Sequence, residues 1–462
     1  MALILAFCLL NNILYKTTYD EEGNYIYNYN TYEEVDYDKL KELDYNNENE
    51  VDEYIYIKNM YDIQNIVKEN NFKEDSNQYS LVYEFIYDII DNVNTYTYKD
   101  NNQELVDYYT DILNEYLDKI KENDWKYFID ITIKDLEKTN EELNDNLDSA
   151  TSLMVKDIKR QIDENTIKLE VLKLRLDNDI DYSNNYLSNA VINYQDDLIT
   201  LSNYESNTYE EKQEYQNILS DKEINKYIIT NKYNINKENT LRVGIKDLIS
   251  DYEIFIMLFI IIISSSIVSS EFKNGTIKQL LTKPYTRTSI LLSKYLTCIL
   301  CFIFIVAYTL IIEFIIGSLF FGIDSLKIPV LIYNYNTSAL LEYNAFIYML
   351  IMLVHKLPIF ILLFTLAFSL SCIFNSTSLA NTLTILGYIF SNTISLMYFA
   401  FNLKILKYFV TLNWDLTEYI YGKLPSVEGL TMYKSILICL CYYLIMIIVS
   451  FTIFNKRNVK NI

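Results

Sequence analysis

The order of apolar and polar positions divides the chain near residue 250. Downstream the apolar runs are long. Ile254–Ser270 is uncharged for 17 residues, Tyr295–Ile312 and Leu357–Phe374 for 18 each, and Ser435–Phe454 for 20. Asn375–Leu403 is uncharged throughout. A helix rises about 1.5 Å per residue, and about 20 apolar residues cross a bilayer core. These runs predict five membrane helices at 254–270, 295–321, 357–374, 378–402 and 434–454. Ala2–Leu14 is apolar too, but too short to span by itself. It predicts a partial first membrane helix over 1–15 whose beginning is missing. A signal-peptide core is the alternative, without the usual basic flank. Two further stretches are apolar but interrupted: 339–356 by Glu342, His355 and Lys356, and 401–412 by Lys404 and Lys407. The first predicts an interfacial or partly inserted helix on the outer side that leads into the span at 357, and the second an interfacial helix.

Upstream, residues 16–250 contain no proline and two glycines, so little punctuates helices there. Leu105–Ile120 carries Tyr109, Ile112, Leu113, Tyr116 and Leu117 on one side, which predicts an amphipathic helix. Trp125 and Phe128 follow as core at a turn. Val155, Ile158, Ile162, Asn165, Leu169, Leu172 and Leu176 alternate steps of three and four. That spacing predicts about three heptads of coiled-coil seam. Asn165 fixes register in such a seam, or lies exposed on an ordinary bundle helix. Residues 24–60, rich in Tyr and Asn, predict short helices and loops.

Charge follows the same division. Residues 1–250 hold 25 Lys and Arg against 52 Asp and Glu, and residues 251–462 hold 14 against 9. The overall net charge of −22 therefore describes neither half. A basic nucleic-acid binder is excluded, as is a single soluble domain. The six cysteines all sit in apolar stretches, which excludes a disulfide scaffold. Loop 271–294 carries Lys273, Lys278, Lys283, Arg287 and Lys294 against Glu271, and the C-terminus carries Lys456, Arg457 and Lys460. The positive-inside rule puts both in the cytoplasm, and five helices between them agree by counting. Residues 16–250 then lie outside. The fold expected is all-α: a polytopic membrane bundle over 251–462 with an acidic, helical, partly coiled-coil extracytoplasmic domain over 16–250. Its acidity keeps it soluble; the same surface also attracts cationic peptides or repels anionic wall polymers.

The stretch most informative about function is SSEFKNGTIKQLLTKPYTRTSILLSK, Ser269–Lys294. It reads as an amphipathic excursion directly after a membrane helix. Gly275 allows a tight break. Ile277, Leu280 and Leu281 form an apolar docking face. Pro284 stops the helix, and Thr286 or Thr288 caps the next. Its pattern E-F-x-x-G-T-I-K-x-L-L-x-x-P-x-x-R-x-x-I-L-x-x-K resembles the signature after the second membrane helix in permease subunits of the type 2 exporter class of ABC transporters. The tail FNKRNVKNI is similar to that family's closing pattern, with Asn458 where an Asp is usual. Leu174–Tyr194 resembles a segment of Firmicute permeases with a large outer insertion. The resemblance implies six membrane helices per permease and a dimer with a second copy or a homologous permease. It also implies a cytoplasmic ABC ATPase subunit that holds ATP and Mg, in the membrane of a low-GC Gram-positive cell. By position, Glu271, Gly275, Thr276, Leu280, Leu281, Pro284, Arg287 and Lys294 would contact that ATPase.

No G-x-x-x-x-G-K-[ST] phosphate loop occurs, and His355 is the lone histidine. No catalytic residue and no metal site is expected in this chain. Glu313 is a carboxylate inside a membrane run and so a candidate for the translocation path. It lies near the outer end of its helix, where it can reach headgroups or water. Two other readings compete with the exporter. One is a mechanotransmitting or sensing protein whose outer domain binds a peptide or envelope partner. The other is a membrane-anchored scaffold.

Overall fold

The computed structural model describes residues 37–45, 47, 50–147, 151–237, 239–282, 284–401 and 403–457. The partial helix expected over 1–15 and the tail from Asn458 lie outside the described residues. The chain divides into two compact units. One comprises the described residues of 27–207 with 217–234, the other those of 208–216 and 235–462. The division expected at residue 250 is therefore corrected. Leu241, Ile245, Leu248 and Ile249 are fully buried in the core of the unit that carries the long apolar helices, so the chain enters that unit before its first span.

The first unit is helical. It holds α1 (Val51–Glu69), α2 (Asn77–Phe85), α3 (Tyr87–Tyr98), α4 (Gln103–Lys121), α5 (Trp125–Leu147), α6 (Ser152–Asp177), α7 (Tyr186–Ser202) and the greater part of α8 (Tyr209–Asn231). The starts of α2, α4 and α7 follow from their caps. Ser76, Asn102 and Asn185 each accept a hydrogen bond from a first-turn backbone N–H. α1 corrects the expectation of short elements over 24–60: it is a 19-residue helix whose Val51, Ile55 and Ile63 are buried. The core gathers Ile63, Leu81, Ile86, Ile120, Phe128 and Ile129, with Trp125 packed at the α4–α5 turn as the sequence suggests. The heptad stretch forms α6, and α6 pairs with α5 as a helical hairpin. Asn165 lies inside that pairing, donating to Asn140 Oδ1 at 2.9 Å.

Among its described residues, the second unit contains five helices long and apolar enough to cross a membrane. Two short helices, α9 (Leu241–Lys246) and α10 (Leu248–Asp251), precede them. The first span, Glu253–Lys273, comprises α11 (Glu253–Ser266) and α12 (Ser269–Lys273). A short α13 (Ile277–Leu281) follows. The remaining spans are α14 (Arg287–Phe321), α15 (Ala345–Ile373), α16 (Thr377–Phe401) and α17 (Met432–Lys456). Strands β1 (Val330–Asn334) and β2 (Ala339–Tyr343) form an antiparallel hairpin between α14 and α15. Lipid offers apolar side chains no advantage in leaving it, so small polar side chains do much of the fastening between spans. Tyr295 and Thr365 hydroxyls meet at 2.7 Å, and Ser369 and Ser450 at 2.6 Å.

Two expectations about interfacial helices are corrected. Residues 339–343 are strand, and α15 starts at Ala345 behind the Asn344 cap and runs straight through Pro358. Lys356 is 8% exposed and paired with Glu253, the first residue of the first span, so the helix is continuous through it. The 401–412 stretch forms 3₁₀ turns at Lys404–Tyr408 and Val410–Leu412 instead of a helix. Asn413, fully buried, holds them by donating to the Lys407 and Phe409 carbonyls at 2.8 Å each.

Candidate functional site

The 269–294 element is built from the ends of four spans. The backbone N–H groups of Val268 and Ser269 both donate to Ser371 Oγ on α15, at 3.1 and 2.9 Å. Those two bonds hold the junction of α11 and α12 against α15. Asn274 and Gly275 then close a turn. Gly275 has φ +72°, and a Cβ placed there would meet nothing within 4 Å. Glycine is thus required for its backbone conformation, not for space. Ile277 on α13 is fully buried and Leu280 packs against the core. Removing a side chain such as Ile277 from solvent is worth roughly 1.5–3 kcal/mol, enough to seat a five-residue helix that could not stand alone. Thr286 caps α14 by accepting from Ser289 N at 3.2 Å.

Charged residues bind this element to the bundle. Lys294 pairs with Glu271 and donates to the Ile267 carbonyl at 3.1 Å. Arg287 donates to the carbonyls of Asn455 and Arg457 at 3.0 and 2.9 Å, meeting the negative end of α17. The Arg457 guanidinium lies 4.0 Å from the centroid of the buried Phe272 ring and donates to the Cys372 carbonyl at 2.5 Å. By contrast, Thr276, Lys278, Gln279, Pro284 and Tyr285 are exposed. The residues matched to the family motif therefore fall into two groups. Glu271, Arg287 and Lys294 work inward, and Thr276 and Pro284 face outward beside Lys278 and Tyr285.

Glu313 lies at the other end of α14. It sits 26 residues from Arg287, about 39 Å along a helix. The expectation that it reaches headgroups or water is corrected. It is 3% exposed, accepts from Tyr252 OH at 2.6 Å, and lies under α9. A Cβ on Gly244 would stand 2.5 Å from Glu313 Oε1, so any larger residue there would push the Glu313 carboxylate aside. Nearby, Asp251 is pushed up to about 6, first by burial and then by the charges of Asp247 and Glu313. Lys356 pairs with Glu253 and lies 3.9 Å from Asp415. An apolar cavity of 650 Å³ between α14, α15 and α17 is lined by Tyr295, Phe302, Leu357, Pro358 and Tyr443, and Glu313 is not among its walls.

A family described as "Protein of unknown function (DUF2705)" matches residues 216–460. The chain belongs to that family. "Uncharacterized protein YhcI" of Bacillus subtilis is 31% identical over 212 residues, covering 46% of this chain and 67% of the relative. "Uncharacterized membrane protein YdbK" of the same organism is 26% identical over 209 residues, 45% of this chain and 79% of the relative. No solved structure matches. The stretch shared with the family contains the 269–294 element, Glu313 and the Glu253–Lys356 pair, whereas residues 27–207 of the first unit precede it.

The structure brings Glu271 and Lys294 together and places Gly275, Thr276 and Leu280 on the same excursion. It does not bring Glu313 to them. The sequence reading passed over Ser371, Lys356 and Asp415. Ser371 carries no signal among many small residues. Lys356 does carry one: a lysine inside an apolar run calls for an acidic partner, and Glu253 heads the neighbouring span.

Proposed function

We propose that this chain is the membrane-spanning subunit of an ATP-driven exporter in the cell membrane of a low-GC Gram-positive bacterium. ATP and Mg would be held on a separate cytoplasmic ABC ATPase subunit, and a second permease copy or a homologous one would complete the path. The observation that carries this reading is the clamped excursion. Ser371, Lys294, Arg287 and Arg457 tie it to the first span, α14, α15 and α17 at once. A partner that pulls on α13 would thus shift four spans together. Lys273, Lys278, Arg287, Lys294, Lys456 and Arg457 gather at this end of the bundle, which the positive-inside rule assigns to the cytoplasm, with residues 16–250 outside.

The test is co-purification with a cognate ATPase and stimulation of its turnover. Substituting Glu271 or Arg287 would confuse docking with folding, since both are engaged inside the bundle. Gln279→Glu with Tyr285→Ala alters only exposed side chains and should abolish association while leaving the melting temperature unchanged. Association that survives this pair would sink the reading.

A further inference from the structure

Within the unit of residues 27–207, a cavity of 670 Å³ opens between α2 and the loop joining α6 to α7. Tyr79, Tyr83 and Glu84 come from α2, Glu74 from the turn before it, Tyr182 from the loop and Ser188 from α7. We propose that this cavity binds a basic side chain of a peptide, with its ammonium or guanidinium group between the tyrosine rings and the two carboxylates.

The cavity is held open by bonds that need no ligand. Tyr182 N donates to Asn77 Oδ1 at 2.7 Å, Asn77 Nδ2 to Asn123 Oδ1 at 2.7 Å, and Asn184 N to the Asp75 carbonyl at 3.2 Å. These fasten the loop to the start of α2, so the two walls keep their separation. Tyr79 and Tyr83 stand one helical turn apart with ring centroids at 4.7 Å, forming one aromatic wall. Tyr182 forms another, although the Arg175 guanidinium, 4.1 Å from its centroid, already covers part of that ring and leaves Tyr79 and Tyr83 as the open aromatic wall. Arg175 is itself buried and committed to the Asp181 carbonyl at 2.7 Å, and both its terminal nitrogens lie 3.4 Å from Ser188 Oγ. Burial pushes the Tyr182 phenol up to about 12, with the Arg175 charge opposing and the Glu84 charge adding, so the ring stays neutral at ordinary pH.

The ligand class follows from the chemistry. Glu74 and Glu84 are exposed at the rim, where a carboxylate can meet a cation with little desolvation cost. A cation over aromatic faces gains about 0.5–2 kcal/mol more. An anion would face two carboxylates. A bare metal ion would leave the rings and most of the volume unused. An extended peptide fits better, with its backbone against the Asn184 and Asn189 amides that also line the cavity.

This inference does not rest on the exporter reading. The test uses the full chain in phosphatidylcholine nanodiscs, titrated calorimetrically at physiological salt with an end-blocked peptide containing two lysines. Binding should weaken about tenfold in Glu74→Gln/Glu84→Gln and likewise in Tyr79→Ala, corresponding to about 1.4 kcal/mol. It should vanish for the acetyl-lysine peptide. The control is Glu141→Gln/Glu142→Gln on α5, which removes the same charge elsewhere and should leave affinity unchanged. Equal loss in the control would show bulk attraction by the acidic surface and overturn the site. Equal binding of the acetylated peptide, or competition by a neutral disaccharide, would overturn the ligand class.

Discussion

Glu271 and Lys294 stand 23 positions apart and form an ion pair where the first span meets α14, with side-chain exposures of 25% and 12%. Lys294 also holds the Ile267 carbonyl, so one ammonium group closes the gap across the whole excursion. Removing one partner leaves a half-buried charge without its counter-charge, which costs about 1–3 kcal/mol. Glu271→Gln should lower the melting temperature in nanodiscs, and Lys294→Met likewise. The double variant should lose less than the sum of the two. A double-mutant cycle with no coupling would mean the pair does not hold the excursion.

Gly244 and Glu313 make the second internal contact that predicts an outcome. A methyl group on residue 244 would overlap Glu313 Oε1, because the ideal Cβ lies 2.5 Å from it. Gly244→Ala should cost about 1–3 kcal/mol through overpacking and displacement of the carboxylate from Tyr252. Glu313→Ala removes the obstacle, so Gly244→Ala added to it should cost almost nothing further. Thermal unfolding of the two single variants and the double variant checks this, and simple additivity would contradict the contact.

The spans and their ends were legible because lipid tolerates few charges and caps obey local rules. Thr286 is the clearest case, acting as the cap that its place after Pro284 suggests. Misreadings arose where tertiary pairing overrode a local signal. Pro358 and Lys356 together resemble the start of a helix, yet Glu253 takes up the lysine and α15 runs through both. Residues 241–251 carry mixed polarity and resemble part of the acidic region, yet their apolar side packs onto α14 and α15. In the candidate site, motif spacing singled out Gly275, Glu271 and Lys294, the last two as contacts for a partner and not as an ion pair with each other. It could not reveal Ser371 or Arg457, which reach the site from spans 100 and 180 residues away, about as far as a local pattern is blind to.

The α5–α6 hairpin offers a test of a polar pair among apolar neighbours. Asn165 donates to Asn140 across the interface at 2.9 Å, and both are half-buried. Replacing either by Leu leaves its partner's amide against an apolar surface and should destabilise the hairpin by about 1 kcal/mol. Replacing both should restore or exceed the original stability. Hydrogen exchange of α5 and α6 amides in the full chain reads this directly. A double variant less protected than either single one would show that the Asn pair is needed for the hairpin itself.

Asp251 supplies the pH dependence. Its carboxyl is raised from the ordinary 3.8 to about 6, chiefly by burial, with Asp247 and Glu313 adding repulsion and Lys246 opposing it. A carboxyl raised in this way binds its proton more tightly in the folded chain than in the unfolded one. Its favourable contribution is therefore complete below about pH 4 and is lost as the pH rises through about 6. Asp251→Asn keeps a neutral side chain of the same size at every pH. It should raise the melting temperature at pH 7.5, by the equivalent of about 1 kcal/mol after allowance for solvent screening. The gain should be smaller at pH 5, where the folded wild-type chain still holds most of the proton. Melting curves of both proteins at the two pH values decide the matter, and an equal gain at both would mean that Asp251 does not titrate between them.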